Sequence, residues 1–330
     1  MSNLPFELLN RKILVKKNLE SSKKFGCDPD KRPIEKLIDF GIVNVDKPAG
    51  PTSHQISAYV RDIFKVTKAG HSGTLDPNVT GILAVSIGKA TRVSQALLIA
   101  GKEYVCIMHV HGDYSEEKIR QVCNEFTGTI TQMPPLKSAV KRQERERKIY
   151  YLDVLEIDGR DILFRVGCQA GTYIRKLCTD IGRRLGTNAH MAELRRTKAG
   201  PFNESTIVKL QDVKDAYEIW KDEGDETHLR KIIQPIEKAV EHLPKIWITE
   251  YAVDSLCHGA VLNVPGIAKL NGDIQESQHI AIMTLRGELV GLGVARMSSD
   301  KIMKEERGVA AIIDAVFMEP GIYPKIMKKD

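Results

Sequence analysis

The chain has 330 residues, 42% of them hydrophobic, and a formal net charge of +6. This length accommodates one large and one small domain with a sizeable buried core. No apolar run approaches the roughly 18 residues of a membrane-spanning helix. The N-terminus also lacks the apolar block of a secretory signal. We therefore expect a protein that does not enter a membrane and that stays inside the cell.

The six cysteines are scattered, and no two of them form a C-x-x-C pair. The sequence therefore predicts no zinc site. Isolated cysteines in apolar stretches, such as Cys106 and Cys178, are more often small core residues than nucleophiles.

Positive charge is concentrated in two segments. Residues 47–102 hold seven Lys or Arg against two acids, and residues 171–200 hold seven against two. A featureless solvated surface would mix the signs more evenly. If the two segments fold together, they predict a surface that follows nucleic-acid phosphates.

The first half of the chain predicts an alternation of strands and helices. Residues 1–39 form a charged extension, whose apolar strip at 13–15 indicates an edge strand or a docking arm. The core begins at Gly41 with a strand over 42–45 and a helix that Ser53 could cap. A glycine-rich loop over 70–78 follows. Further strands are predicted over 82–88 and 102–112.

The second half predicts two kinds of structure. A helix is predicted over 116–126, and a strand followed by a helix that ends at Gly186 is predicted after residue 162. The charged stretch 137–151 is either a solvated hairpin tip or a positive loop that grips RNA. Residues 205–243 look helical and linker-like. After Pro244, short strands with regular turns favour a small β-barrel.

One aspartate stands out in the stretch GHSGTLDPNVTGIL at 70–83. Pro77 favours an extended conformation for Asp76, and the flanking glycines give the backbone freedom. An ordinary turn aspartate would also explain this loop. However, Asp76 is the only acid in residues 63–102, among many cations. A carboxylate near arginine stays ionised at neutral pH and can act as a nucleophile or a base.

Several other chemistries lack their residue patterns. No second acid is similarly placed, which argues against hydrolysis by two carboxylates. No His, Asp or Glu residues have metal-ligand spacing. Neither G-x-x-x-x-G-K-[ST] nor G-x-G-x-x-G occurs. We therefore predict no metal and no cofactor.

The stretch GHSGTLDP at 70–77 resembles the signature loop of the TruB/dyskerin family of RNA pseudouridine synthases. Residues 256–267 and 288–297 are similar to a PUA RNA-binding domain. The resemblance covers about residues 36–323, and it is greatest to archaeal members of the dyskerin branch. Met133 departs from the family, where arginine is frequent, and this affects one RNA contact. Other family motifs follow in order: VNVDKPAGPTSH (43–54), KEYV (102–105), PPLKSAVK (134–141), AGTYIRKL (170–177), AHMAELRRTKAGPF (189–202) and PIEKAVEHLP (235–244).

The resemblance implies an α/β (α+β) fold in two domains. Residues 40–245 would form the pseudouridine synthase catalytic domain, with a mixed central sheet and a cleft across one face. Residues 246–324 would form the small β-barrel PUA domain. The extension at 1–39 would pack on the PUA domain.

The resemblance also implies roles for six residues. Asp76 would be the catalytic carboxylate, which engages the ribose or the base of the target uridine. Five residues would contact the substrate or support its pocket. Arg175 would pair with Asp76, and Tyr173 would support the pocket. Tyr104 would stack on the flipped base and help to move its C5 proton, Leu194 would pack against the base, and His71 would border the flipped nucleotide.

Some of these residues have simpler explanations. Tyrosines in strands are more often packing residues, and Leu194 could belong to the core. Arg175 differs, because a cation near a helix start opposes the helix dipole, which suggests a reason other than structure.

The implied reaction breaks the N-glycosidic bond of uridine, rotates the base and rejoins it at carbon. The base must leave its stack, as in other base-flipping enzymes. The dyskerin resemblance implies that an H/ACA guide RNA directs the reaction and that the substrate is rRNA or tRNA. It also implies three protein partners: a small nucleolar-type scaffold protein, a Gar-type protein and a kink-turn binder that contacts the RNA. It implies the cytoplasm of an archaeal cell, or the nucleolus of a eukaryotic one.

Two alternatives remain. A stand-alone synthase acting on the T-loop of tRNA would be active without guide RNA. An RNA-binding assembly scaffold would keep its role after loss of Asp76. Three routes for Asp76 are also open: attack on C1′, attack on the base, or removal of a ribose proton.

Overall fold

The computed structural model describes residues 2–134 and 143–325, which fold around two β-sheets. The strands are β1 (Ile13–Val15), β2 (Gly41–Lys47), β3 (Ala69–His71), β4 (Thr80–Ile87), β5 (Lys102–Val110), β6 (Gly128–Gln132), β7 (Arg145–Asp158), β8 (Asp161–Cys168), β9 (Ala189–Ala199), β10 (Phe202–Asn203), β11 (Ile233–Pro235), β12 (Lys245–Ile248), β13 (Leu262–Asn263), β14 (Ile267–Asn271), β15 (His279–Thr284), β16 (Leu289–Ala295) and β17 (Val309–Val316). The helices are α1 (Ile34–Asp39), α2 (Ser53–Ile63), α3 (Ser94–Ile99), α4 (Glu116–Glu125), α5 (Ile174–Leu185), α6 (Leu210–Glu223), α7 (Thr227–Ile232), α8 (Glu250–Cys257) and α9 (Ser299–Lys304).

The larger sheet has ten strands and carries the candidate site. Its order is β11-β2-β4-β9-β5-β8-β7-β6, with β3 paired to β4 and β10 paired to β9. β4 and β9 run parallel, and β9 and β5 run antiparallel. β4, β9 and β5 are therefore central, and residues distant in the chain become neighbours there.

The predicted helix periodicities are confirmed in two helices that pack on this sheet. Ile56 and Val60 of α2 are fully buried against β2 and β4. In a second cluster, Leu177 and Ile181 of α5 pack with α4, β5 and β8. Gly186 ends α5 in the left-handed region with φ of +87°, as its sequence position predicted.

The linker-like interpretation of residues 205–243 was wrong. Val213 and Tyr217 of α6 and Leu229 of α7 are buried in the same core as α2. β11 then pairs with β2 and adds a strand to the sheet edge. Charged residues on the outer helix faces hid the narrow apolar stripe that packs inward.

The smaller sheet has the order β1-β14-β12-β15-β16-β17-β13 and encloses its own apolar core. The predicted class, an α/β catalytic domain with a small β domain, is confirmed. β1 pairs with β14 at the edge of this sheet, as its apolar strip predicted.

The N-terminal segment contacts both sheets. Leu4 is fully buried, and Lys198 of β9 donates to the Glu7 carboxylate at 2.9 Å. Further along, the Cys27 N–H donates to the buried Glu288 carboxylate at 3.0 Å. The extension therefore bridges the two sheets.

An apolar cluster joins the two domains. It combines Ile82 and Leu97 of the larger domain with Met283 and Phe317 of the smaller one. Beside it, His242 is buried, and its Nε2 lies 3.1 Å from the Ala96 carbonyl oxygen.

The charged stretch 137–151 is described in part. Residues 145–151 belong to β7, which pairs with β6 as a hairpin. Residues 135–142 lie outside the described residues, so both interpretations of this stretch stay predictions.

Candidate active site

Asp76 lies on the loop between β3 and β4. Its carbonyl oxygen accepts a hydrogen bond from the Val79 N–H at 3.0 Å, which closes a turn around Pro77. The Asp76 side chain is 55% exposed, whereas Leu75 and Val79 are buried on either side of it. The loop is therefore anchored around Asp76 while the carboxylate stays accessible.

A buried lysine holds this loop from beneath. Lys47 is fully buried, and its ammonium donates to the carbonyl oxygens of Pro48, Pro77 and Val79 at 2.8, 2.9 and 2.8 Å. Burial lowers the pKa of Lys47, and the Asp76 carboxylate partly offsets that shift. Three charge-assisted hydrogen bonds on one ammonium leave the turn after Asp76 little freedom to move.

The start of α2 provides a second anchor, and here the sequence-based cap was wrong by one residue. Thr52 is the N-cap: its hydroxyl accepts from the Gln55 N–H at 3.2 Å, and the Gln55 side chain accepts from the Thr52 N–H at 2.8 Å. Ser53 instead accepts from the Leu75 N–H at 2.8 Å and donates to the Leu75 carbonyl at 3.2 Å. Ser53 thus ties α2 to the residue that precedes Asp76.

Arg196 forms the third anchor, in the middle of the sheet. Its side chain is 1% exposed and donates to the carbonyl oxygens of Ile82 at 2.8 Å and Gly73 at 3.0 Å. Arg196 pairs in register with Gly81 of β4 and Tyr104 of β5. A Cβ atom on Gly81, whose φ is +98°, would lie 2.3 Å from the Arg196 carbonyl oxygen. Only glycine lets the two strands approach this closely.

Arg175 lies in the first turn of α5, and its guanidinium donates to the Asp76 carboxylate. The two side chains are 59% and 55% exposed. Exposed pairs of this kind contribute less than about 1 kcal/mol to folding. Because Arg175 also opposes the dipole of α5, stability is a poor reason for its presence. The contact instead orients the carboxylate.

Tyr104 and Leu194 lie on adjacent strands at the edge of one apolar cluster. In the β5–β9 register, Tyr104 is opposite Arg196, and Cys106 is opposite Leu194. Burial raises the pKa of Tyr104, and the positive charge of Arg196 opposes that rise. The phenol therefore stays protonated at neutral pH and can donate a hydrogen bond.

Tyr173 is the N-cap residue of α5, two positions before Arg175. Its N–H donates to the Gln132 Oε1 at 3.0 Å, and its carbonyl accepts from the Gln132 Nε2 at 3.2 Å. Gln132 is the last residue of β6 and is 2% exposed. The start of α5 is thus held by the β6–β7 hairpin.

His71 lies at the base of the loop, and its ring packs edge-on against His54 with centroids 4.9 Å apart. Burial, aided by the neighbouring His54 ring and by the positive charge of Arg196, lowers the pKa of His71 to about 4. His71 is therefore neutral at pH 7. Both rings line an open groove of about 490 Å³ that also includes Arg61 and Lys68.

The six residues assigned from the resemblance belong to three features of the larger domain. Asp76 and His71 belong to the loop after β3, Tyr104 and Leu194 to the central strands, and Tyr173 and Arg175 to the start of α5. The structure brings Asp76 and Arg175 into contact across 99 positions of the chain.

Sequence reasoning missed the buried residues behind this site. Lys47, Lys102 and Arg196 were counted in a phosphate-following surface, but they are 0%, 5% and 1% exposed and cannot contact RNA. Lys102 donates to three carbonyl oxygens at the end of α3, at 2.8 Å each. The available signal was position, because Lys47 ends a strand that carries the apolar residues Ile42, Val43 and Val45. Gln132 carried no signal.

In the described part of the chain, no group of three or more His, Cys, Asp or Glu side chains could hold a metal ion. No helix there is long and apolar enough to span a membrane.

Family comparisons cover both domains. Residues 61–117 and 111–174 match the TruB family pseudouridylate synthase (N terminal domain). Residues 175–241 match the tRNA pseudouridylate synthase B C-terminal domain, residues 244–317 a PUA domain, and residues 1–57 the DKCLD (NUC011) domain.

Among curated proteins, the "Probable tRNA pseudouridine synthase B" of Methanopyrus kandleri is 56% identical over 98% of this chain and 95% of its own length. The protein of that name from Pyrococcus abyssi is 56% identical over 96% of each chain. A structure titled "Crystal Structure of a Cbf5-Nop10-Gar1 Complex" has a TM-score of 0.95 at 54% identity, covering 98% of this chain and 99% of that one. Another, "Structure of H/ACA RNP bound to a substrate RNA containing 2'-deoxyuridine", has a TM-score of 0.92 at 52% identity, with the same coverage. The chain belongs to the TruB family of pseudouridine synthases.

Proposed function

We propose that this pseudouridine synthase acts under the direction of an H/ACA guide RNA, with rRNA as its main substrate and tRNA as a second one. The observation that carries the proposal is the likeness along the whole chain to the protein in an H/ACA RNP bound to substrate RNA. The curated names of the archaeal relatives favour tRNA as a substrate. Both substrates would react in one active site, because the chemistry at the uridine is the same.

We propose Asp76 as the catalytic carboxylate. It is exposed, it is held on both sides by buried anchors, and it contacts the Arg175 guanidinium. A carboxylate in this setting is oriented without being covered. Its reaction with the ribose or the base would allow the N1–C1′ bond to break and the C5–C1′ bond to form.

The surrounding residues would bind the uridine that has left its stack. Tyr104 offers an aromatic face and a protonated hydroxyl, and Leu194 offers an apolar surface on the next strand. Flipped bases are commonly held between aromatic and apolar side chains. Tyr173 and neutral His71 would border the nucleotide. The C5 proton would leave to solvent or to an acceptor in the pocket.

The proposed partners follow from the similar complexes. The similar structures are a complex with Nop10 and Gar1 and an H/ACA RNP bound to a substrate RNA. We expect corresponding partners here: a guide RNA, a small scaffold protein, a Gar-type protein and a kink-turn binder that contacts the RNA. We also expect the complex in the cytoplasm of an archaeal cell.

The test is tritium release from RNA labelled at C5 of uridine, with the full chain, partner proteins and guide RNA present or omitted. Asp76→Asn should lower the rate by about 10³-fold or more, because the substituted amide is neither nucleophile nor base. Asp161→Asn is the matched control, since Asp161 is 57% exposed against 55% for Asp76. It should keep the wild-type rate.

Each outcome separates the candidate functions. Release that needs both guide and partners supports guided modification. Release from bare tRNA shows stand-alone activity as well. If Asp76→Asn kept the wild-type rate, the role of Asp76 would be wrong. If no protein released tritium while RNA binding stayed intact, the scaffold alternative would replace the proposal.

A further inference from the structure

A buried glutamine connects the β6–β7 hairpin to the start of α5. Gln132 ends β6 and is paired with Arg145, the first residue of β7. Its amide donates to the Tyr173 carbonyl at 3.2 Å and accepts from the Tyr173 N–H at 3.0 Å. These are the two hydrogen bonds that a neighbouring strand would make, and a side chain makes them here. At 2% exposure, water cannot replace them.

Tyr173 sets the direction in which α5 begins. It is the N-cap residue, and its extended φ and ψ of −98° and 105° turn the chain into the helix. Its carbonyl also accepts the first helical hydrogen bond, from the Leu177 N–H at 3.0 Å. Arg175 lies between Tyr173 and Leu177 in the chain, and its guanidinium donates to the Asp76 carboxylate. A shift of the Tyr173 backbone therefore moves the guanidinium relative to the carboxylate.

We propose that Gln132 is a positioning residue that couples the β6–β7 hairpin to the Asp76–Arg175 pair. One of the two interpretations of the charged stretch 137–151 is a positive loop that grips RNA, and under that interpretation the bound RNA would act on the site through this amide. The coupling to RNA rests on the proposed function. The placement of Arg175 by Gln132 does not, because it follows from contacts within the chain.

The first experiment separates rate from binding. The full chain, assembled with guide RNA and partner proteins, is compared with Gln132→Met, which keeps the length of the side chain but loses both hydrogen bonds. We expect the single-turnover rate at saturating RNA to fall about tenfold to thirtyfold, as expected for two lost buried hydrogen bonds. The Kd for substrate RNA should change less than about threefold. Thr129→Ala is the control, since Thr129 lies on the same strand and is exposed. It should match wild type.

A double-mutant cycle tests whether Gln132 acts through Arg175. In an Arg175→Lys background, Gln132→Met should lower the rate less than twofold further, because the guanidinium that it positions is gone. If the rate losses of Gln132→Met and Arg175→Lys multiplied in the double variant, the coupling would be overturned. An unchanged rate in Gln132→Met alone would overturn it as well.

Backbone hydrogen exchange tests the placement without any reaction. In the purified full chain without RNA, Gln132→Met should speed exchange in peptides covering 173–176 at least fivefold, while exchange at 181–185 of the same helix stays unchanged. Equal exchange in wild type and variant at 173–176 would overturn the proposal. If exchange responds but wild-type protein forms no pseudouridine, the proposed function fails and the placement by Gln132 stands.

Discussion

Arg196→Met tests whether the buried guanidinium behind Asp76 serves the reaction more than the fold. Methionine keeps most of the apolar volume of the side chain and removes the charge and both donors. The carbonyls of Gly73 and Ile82 then lose their bonds of 3.0 and 2.8 Å. Gly73 belongs to the loop that carries Asp76, so the loop loses an anchor at its start.

The effect on stability follows from two opposing contributions. Two charge-assisted hydrogen bonds are worth about 1.5–3 kcal/mol each. Against them stands the desolvation of a guanidinium that is 1% exposed, which costs several kcal/mol. Among residues 2–134 and 143–325, no carboxylate pairs with Arg196 to offset that cost. We therefore expect the free energy of unfolding to fall by only about 0–2 kcal/mol.

The effect on the reaction should be larger. The loop around Asp76 would shift, and a displacement of about 1 Å at a reacting group can lower a rate about 10²-fold. Tyr104 would also lose its neighbouring positive charge. We expect the single-turnover rate to fall about 100-fold while the melting temperature falls by no more than about 8 °C.

The assay pairs calorimetric melting with single-turnover tritium release at saturating RNA. Arg165→Met is the control, because Arg165 lies in the same sheet but has a carboxylate partner, Asp153, at 2.8 Å. It should keep the wild-type rate. A near-wild-type rate for Arg196→Met, or a melting temperature lowered by 15 °C or more, would refute this account of the buried guanidinium.

Two further predictions concern stability. In a denaturation experiment, Gly81→Ala should lower the free energy of unfolding by about 2–6 kcal/mol. The added Cβ would lie 2.3 Å from the Arg196 backbone, at a residue in a left-handed conformation. The control Gly159→Ala, whose Cβ would have nothing within 4 Å, should lower it by about 1 kcal/mol. Burial lowers the pKa of His242 from 6.5 to about 4, so the stability that the neutral ring contributes is complete above pH 6.5 and is lost as the pH falls to about 4, by about 3 kcal/mol. Melting curves across that pH range should show this loss of stability for wild type and for the exposed control His228→Gln. His242→Gln should show a clearly smaller loss. Equal pH dependence in all three proteins would contradict the assignment of the loss to His242.

Much of the fold was predictable because it is encoded locally. The apolar run over 82–88, the i, i+4 spacing of α2 and the glycine after α5 are each local features of neighbouring residues. The loop around Asp76 was also predictable, since Pro77 restricts the aspartate and the glycine positions permit the turn. For residues 205–243 the predicted helices are present, but the linker-like interpretation was wrong. Their apolar stripe is narrow, and only the packed core distinguishes it from a solvated linker.

What only the tertiary structure decided is which distant residues meet and which charges are buried. Lys47, Arg175 and Arg196 carry the same charge, and composition does not distinguish them. Lys47 and Arg196 are buried anchors, whereas Arg175 is exposed and contacts Asp76. Likewise, nothing local to Gln132 indicates that its amide holds Tyr173, 41 positions away. By itself the sequence determined the elements, the order of its motifs and the aspartate on its shaped loop. The burial and pairing of the side chains behind that aspartate depend on strand order and register, which are settled only when the whole sheet has formed.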